Sequence, residues 1–142
     1  MIMKNNLKKA YEIAYDAHKF QYDLADNDYI EHPLAVSKMV NGKKAKIVAL
    51  LHDVLEDSDY TKADLEKYFT SDICDAVEAL TREKGENYFK YIESLKDNPL
   101  AKMVKIADLK HNMQVSRLRV ITEHDVRRLK KYLCAYHILT AK

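Results

Sequence analysis

Two glycines, two prolines and no tryptophan occur in 142 residues, too little turn chemistry for a β-sandwich, long structured loops or a glycine-rich phosphate loop. The only cysteines are Cys74 and Cys134. Both sit in apolar helical patterns, so no disulfide scaffold is expected and a reducing cytoplasm is favoured. The opening stretch MIMKNNLKKAYEIAYDAH has no continuous apolar run, so neither a signal peptide nor a membrane span is expected. Neither sign of charge is in excess, with 24 Lys+Arg against 22 Asp+Glu and a net charge of +2. That balance leaves no basic footprint for nucleic acid. What the chain has is 47% hydrophobic and 32% charged residues, the composition of a folded globular domain. The expectation is an all-α, single-domain helical bundle over residues 1–142.

Apolar residues at Leu7, Ala10, Tyr11, Ala14, Ala17 and His18 recur at helical spacing, predicting a first helix from Asn5 to about Asp23. The Asp/Asn-rich stretch 24–32 reads as a loop, and Pro33 opens a second helix that stops at Asn41-Gly42. A third runs from Lys43 to about Glu56. Thr61 and Ser71 are placed as N-caps of short helices over Lys62–Phe69 and Asp72–Leu80. A sixth helix covers Asn87–Lys96, and a seventh runs from Pro99 to about Val120. Thr122-x-x-Asp125 caps a last helix ending near Leu139.

On a helical wheel the third helix buries Ile47, Val48, Leu50, Leu51, Val54 and Leu55. The opposite arc carries His52, Asp53, Glu56 and Asp57 with only Ala49 among them. A solvated face ordinarily mixes signs. Like charges at this density are tolerated around a cation, or when burial keeps one carboxyl protonated; the plain alternative is an exposed acidic patch. In the long helix Asp108 and Asn112 stand one turn apart, among Val104, Ala107 and Leu109. An inward Asp needs a metal, another cation or several donors, so a ligand role and an ion pair with a core Lys or Arg are both open. His32 precedes a rigid Pro33 at a helix start, where the dipole favours the neutral, coordinating form. His18, His111, His124 and His137 fall at helix-interior spacings and read as structural, and most of the ten tyrosines read as core packing.

Taken together, the order His32, His52-Asp53, Asp108 resembles the H…HD…D signature of the HD phosphohydrolase superfamily. Within it, Ala17-His18-x-x-Gln21, Tyr29-Ile-x-His32-Pro33-Leu34, Leu50-Leu51-His52-Asp53-Val54-x-Glu56-Asp57, Leu80-Thr81-Arg82 and Val104-Lys105-Ile-Ala-Asp108-Leu-x-His-Asn112-Met113 are similar to the RelA/SpoT hydrolase domain, over roughly residues 7–119. The small stand-alone forms of that domain are nearest in length. The resemblance implies an HD-type helical fold and one Mn²⁺ held by His32, His52, Asp53 and Asp108, although mixed imidazole and carboxylate donors also suit other divalent transition metals. It further implies that Glu56 and Asp57 are the catalytic pair and that Asn112 contacts the nucleotide sugar region. Lys105 and Arg82 stand where a basic side chain meets phosphate. The implied reaction is removal of the 3′-pyrophosphate from a guanosine tetraphosphate-type nucleotide, with a small phosphorylated nucleotide as partner, no nucleic acid or membrane, and the oligomeric state open.

One position departs from that pattern. Asp23-Leu24 stands where the family carries an Arg-Lys pair, and Asp26 replaces a glycine, which leaves the reaction type in place and opens the substrate. Other phosphorylated nucleotides are one alternative. A non-catalytic HD-fold module that binds metal or nucleotide is another, against which the intact Glu56-Asp57 pair argues.

Overall fold

The computed structural model describes residues 3–142, and its regular structure is helical: α1 (Leu7–His18), α2 (Glu31–Met39), α3 (Lys43–Leu51), α4 (Val54–Asp57), α5 (Lys62–Glu66), α6 (Ser71–Leu80), α7 (Tyr88–Ser94), α8 (Pro99–Asn112) and α9 (Glu123–Thr140). Among the described residues the sole β feature is an isolated Tyr22–Asp28 bridge. None of the helices is long and apolar enough to cross a membrane. Asn6, Thr61, Asn87, Asn98 and Thr122 cap their helices through side-chain acceptors, Thr61 and Thr122 in full capping boxes. Each cap satisfies amide groups that the first helical turn leaves without partners.

The core is built round α3. Its Ile47, Val48, Ala49 and Leu51 are fully buried, and the helix packs against α1, α2, α6 and α8. Leucine-sized side chains buried this completely contribute about 1.5–3 kcal/mol each, so the central helix is the best-anchored platform in the molecule. Cys74 lies buried in this core, whereas Cys134 is exposed, and both are free thiols.

Several helix ends differ from the expected ones, each for a local reason. The first helix stops at His18 rather than near Asp23, because Phe20 adopts a left-handed backbone, φ 70°. Pro33 sits inside the first turn of α2 rather than opening it. The third helix does not run through to Glu56. The His52 ring nitrogen Nδ1 lies 2.6 Å from the Ala49 carbonyl oxygen, competing with the backbone ladder, and Asp53 takes φ −106°, ψ 1° between α3 and α4. A side chain that claims an i−3 carbonyl breaks the helix in this way. The long helix ends at Asn112 instead of Val120, in tight turns over residues 113–117, where Arg117 Nη2 donates to the His111 carbonyl at 3.4 Å.

Candidate active site

Three places in the fold deliver one cluster. α2 carries His32, the break between α3 and α4 carries His52 and Asp53, and α8 carries Asp108; His32, His52 and Asp108 are each at most 4% exposed. The nearest donor atoms of His32, His52 and Asp53 all lie within 4.8 Å of one another. Asp108 Oδ1 is 2.7 Å from His32 Nε2 and 3.3 Å from His52 Nε2, and Asp53 Oδ2 is 3.0 Å from His52 Nε2. The broken third helix is what aims Asp53 at the imidazoles, so the acidic arc of the wheel does not exist as one continuous face.

The donor set fits a cation on its own terms. With its Nδ1–H donated to Ala49, neutral His52 leaves an Nε2 lone pair, and that atom is buried without a well-aligned hydrogen bond. An imidazole oriented by a backbone carbonyl through one nitrogen is a preformed metal ligand through the other. Burial alone would lower the His52 pKa, but Asp53 and Asp108 outweigh it and hold it well above the usual histidine value. Burial would likewise raise both carboxyls, yet His52 holds Asp53, and Lys105 with His52 holds Asp108, well below the carboxylate range. The pocket therefore calls for positive charge at its centre.

Asp108 makes the ion pair with a core lysine that the sequence left open as one alternative. Its Oδ1 faces the imidazoles and also accepts from Asn112 Nδ2 at 3.1 Å, while its Oδ2 pairs with Lys105 Nζ at 2.9 Å. Glu56 and Asp57 lie at the solvent edge of the centre. Glu56 Oε1 accepts from the Arg82 amide at 3.2 Å. Burial, then the Asp53 charge, raises Glu56, and burial with Asp53 and Glu56 pushes Asp57 up to about 6.

Two histidines expected to be structural, His111 and His18, join the cluster together with Tyr29. His111 Nδ1 lies 2.7 Å from His32 Nδ1, and burial followed by the nearby His32 pushes its pKa down to about 4. The Tyr29 hydroxyl donates to Asp53 Oδ2 at 2.6 Å. His18 is fully enclosed with its ring centroid 4.9 Å from that of Tyr29, and its Nε2 has no partner. The i, i+3 spacing of Asp108 and His111 was the available signal, since it places both on one helix face.

A cavity of about 270 Å³ opens beside the centre, lined by Asp23, Leu24, Tyr29, Asn112, Arg117 and Tyr132 among others. Tyr29 and Asn112 reach from its wall to Asp53 and Asp108. Asp23 lines it with its charge already engaged. Oδ1 accepts from the Ala25 and Asn27 amides at 2.8 and 3.0 Å, and Oδ2 faces Arg117 Nη1 at 3.3 Å.

No family model matches the chain. It is 32% identical over 123 residues to the bifunctional (p)ppGpp synthase/hydrolase SpoT of Escherichia coli K12, covering 76% of this chain and 18% of that protein. It is 31% identical over 137 residues to the guanosine-3′,5′-bis(diphosphate) 3′-pyrophosphohydrolase of Aquifex aeolicus, covering 88% of this chain and 19% of that one. The chain thus spans less than a fifth of the length of these curated relatives. A solved structure of a metazoan SpoT orthologue, described as hydrolysing ppGpp with a role in starvation responses, superposes with a TM-score of 0.80 at 24% identity. That match covers 95% of this chain and 85% of the other. It establishes the fold.

Proposed function

From the premise that the chain is a homologue of the guanosine-3′,5′-bis(diphosphate) 3′-pyrophosphohydrolases, matching one segment of them, we propose that it is a Mn²⁺-dependent hydrolase. Its substrate on this reading is a guanosine tetraphosphate-type nucleotide, and its place the reducing cytoplasm, in keeping with the free thiols of Cys74 and Cys134. The observation that carries the reading is the convergence of two imidazole Nε2 atoms with the Asp53 and Asp108 carboxylates, beside a raised carboxyl pair.

His32, His52, Asp53 and Asp108 would hold the ion. When bound it supplies Lewis-acid polarisation of a phosphoryl oxygen and a more acidic water, a role open to Mn²⁺ and to other divalent transition metals. His111 accepts the Nδ1–H of His32 and so leaves His32 Nε2 free to coordinate. Tyr29 donates to Asp53 Oδ2, the oxygen that faces His52, and so fixes the orientation of that carboxylate toward the centre. Asp57, half-ionised near pH 6, is matched to take a proton from attacking water near neutral pH, and Glu56 orients that water. Asn112 meets the sugar region at the mouth of the cavity, and Arg82 and Lys105 face the phosphates. The nucleoside itself occupies the cavity beside Tyr29 and Tyr132.

The test is incubation of the chain with guanosine tetraphosphate and Mn²⁺ and separation of the products. Release of pyrophosphate is expected, and Glu56→Gln should lower kcat by at least about 10²-fold while the ion stays bound. Retained metal with no turnover of any phosphorylated nucleotide would reduce the protein to a binding module. Near-normal kcat in Glu56→Gln would remove that residue from the chemistry.

A further inference from the structure

Positive charge gathers at one place round the Tyr88 ring, near the Lys105 that pairs with Asp108. Arg82, on the segment between α6 and α7, places its guanidinium carbon 5.4 Å from the Tyr88 ring centroid, and Lys131 of α9 places Nζ 4.6 Å from the same centroid. Lys105 lies beside them, with Nζ 5.5 Å from the Tyr91 ring. Lys105 is paired with Asp108 and Arg128 with Asp125, whereas among the described residues Arg82 and Lys131 form no ion pair with a carboxylate. An aromatic face is a modest partner, worth about 0.5–1 kcal/mol for one exposed cation, and two cations on one ring repel each other. The strain is visible in Lys131, whose pKa is lowered by burial and then by Arg82, Lys105 and Arg128. At the centre of this group the Tyr88 hydroxyl oxygen is buried without a hydrogen-bond partner. Two unpaired cations and an unsatisfied hydroxyl, contributed by three separate segments, form a site lacking only an anion.

The cluster adjoins the reacting groups. The Arg82 amide donates to Glu56 Oε1 at 3.2 Å, and Lys105 Nζ reaches Asp108 Oδ2 at 2.9 Å. We propose that Arg82 and Lys131, with the Tyr88 hydroxyl, form a subsite for the terminal phosphate of a pyrophosphoryl group whose inner phosphate lies at the His32–His52–Asp53–Asp108 centre. This rests on the hydrolase reading above and names what selects its substrate. Water oxygen bonds to the inner phosphorus, the ester P–O bond breaks, and the departing sugar oxygen takes a proton. Pyrophosphate then leaves with its outer phosphate still on Lys131 and Arg82. A substrate ending in a single phosphate reaches the same centre and leaves the cations unanswered, so the cluster discriminates pyrophosphate esters from monophosphate esters.

Inorganic pyrophosphate is the direct probe, titrated calorimetrically into the full chain loaded with Mn²⁺ and freed of excess ion. Lys131→Gln should weaken its binding about tenfold or more, the loss expected for one charge-assisted hydrogen bond. Lys131→Arg should restore most of it, and thermal stability should not fall in either variant. Inorganic phosphate, which cannot hold the centre and the cations at once, should lose less affinity than pyrophosphate in Lys131→Gln. Unchanged pyrophosphate affinity in Lys131→Gln overturns the subsite, and so does an equal loss for phosphate and pyrophosphate, which would indicate only a diffuse field. A Lys131-dependent pyrophosphate affinity in a chain that fails to turn over guanosine tetraphosphate overturns the proposed substrate and upholds the subsite.

Discussion

The imidazole–carboxylate cluster and the rim of the cavity beside it adjoin each other and are built on opposite principles. In the cluster each side chain is held at more than one point: His32 by Asp108 and His111, His52 by Ala49 and two carboxylates, Asp108 by an imidazole pair, Asn112 and Lys105. His32 and Asp108 rest on α2 and α8, and His52 sits at the buried end of α3. The rim, residues 19–30 and 113–122, has a left-handed Phe20 and Asp26, exposed Leu24 and Val120, and partly exposed pairs such as Asp23–Arg117. Over-determination fixes chemistry, and a loosely held rim leaves substrate choice free to vary. The departure at Asp23-Leu24 falls in the second region, and every residue of the ligand set falls in the first.

The sharpest way to break the comparison is at the buried end. Asp108→Ala strips Lys105 of its carboxylate while its side chain is only 14% exposed, and removing one partner of a buried pair costs about 3–5 kcal/mol. Urea unfolding of the metal-free variant should show that loss, and metal binding should vanish with it. A cost as small as that of a surface pair would mean that the cluster is not over-determined.

At the boundary between the two regions stands Asp57. Burial, then Asp53 and Glu56, lift its carboxyl to about 6 from an ordinary 3.8. The folded state therefore binds its proton more readily than the unfolded chain does. Below about pH 4 both states are protonated, and as pH rises to 6 and beyond, ionisation of Asp57 weakens the fold. Asp57→Asn should accordingly raise the metal-free Tm at pH 7 and leave it unaltered at pH 4. A Tm gain independent of pH would show that the carboxyl does not titrate as placed.

The rim should yield the smallest effect. Arg117→Ala cuts its contacts with Asp23 and the His111 carbonyl, a partly exposed pair worth about 0–1 kcal/mol. Stability and kcat should hold while KM rises, as steady-state kinetics will show. A fall in kcat as large as that of Glu56→Gln would erase the distinction between rim and centre.

Helical class and the caps at Thr61 and Thr122 were legible because spacing and capping chemistry act locally, whereas the grouping of His32, His52, Asp53 and Asp108 rested on a resemblance in motif order and not on spacing. The break at His52-Asp53 was not legible, since periodicity continues through it and only the imidazole–Ala49 contact reveals the competition for a carbonyl. His111 was hidden for a related reason. Its spacing is that of any core residue, and its role depends on His32, which approaches from another helix. Asp23 could be read only as a missing cation, because the amides and the guanidinium that absorb its charge come from a turn and from a segment 94 residues away.

His32 and Asp108 are 76 residues apart in the chain, so His32 has no acid, and His52 only its neighbour Asp53, until α8 has docked on α2 and α3. Contacts of such span form late, after the entropy of closing the intervening loop has been spent. Any partly folded chain therefore lacks the centre altogether, and an ion added during refolding binds only finished molecules. Binding of an ion there would draw the equilibrium toward the native state by about 4 kcal/mol at a thousand times Kd, and the cluster would then act as a latch on folding.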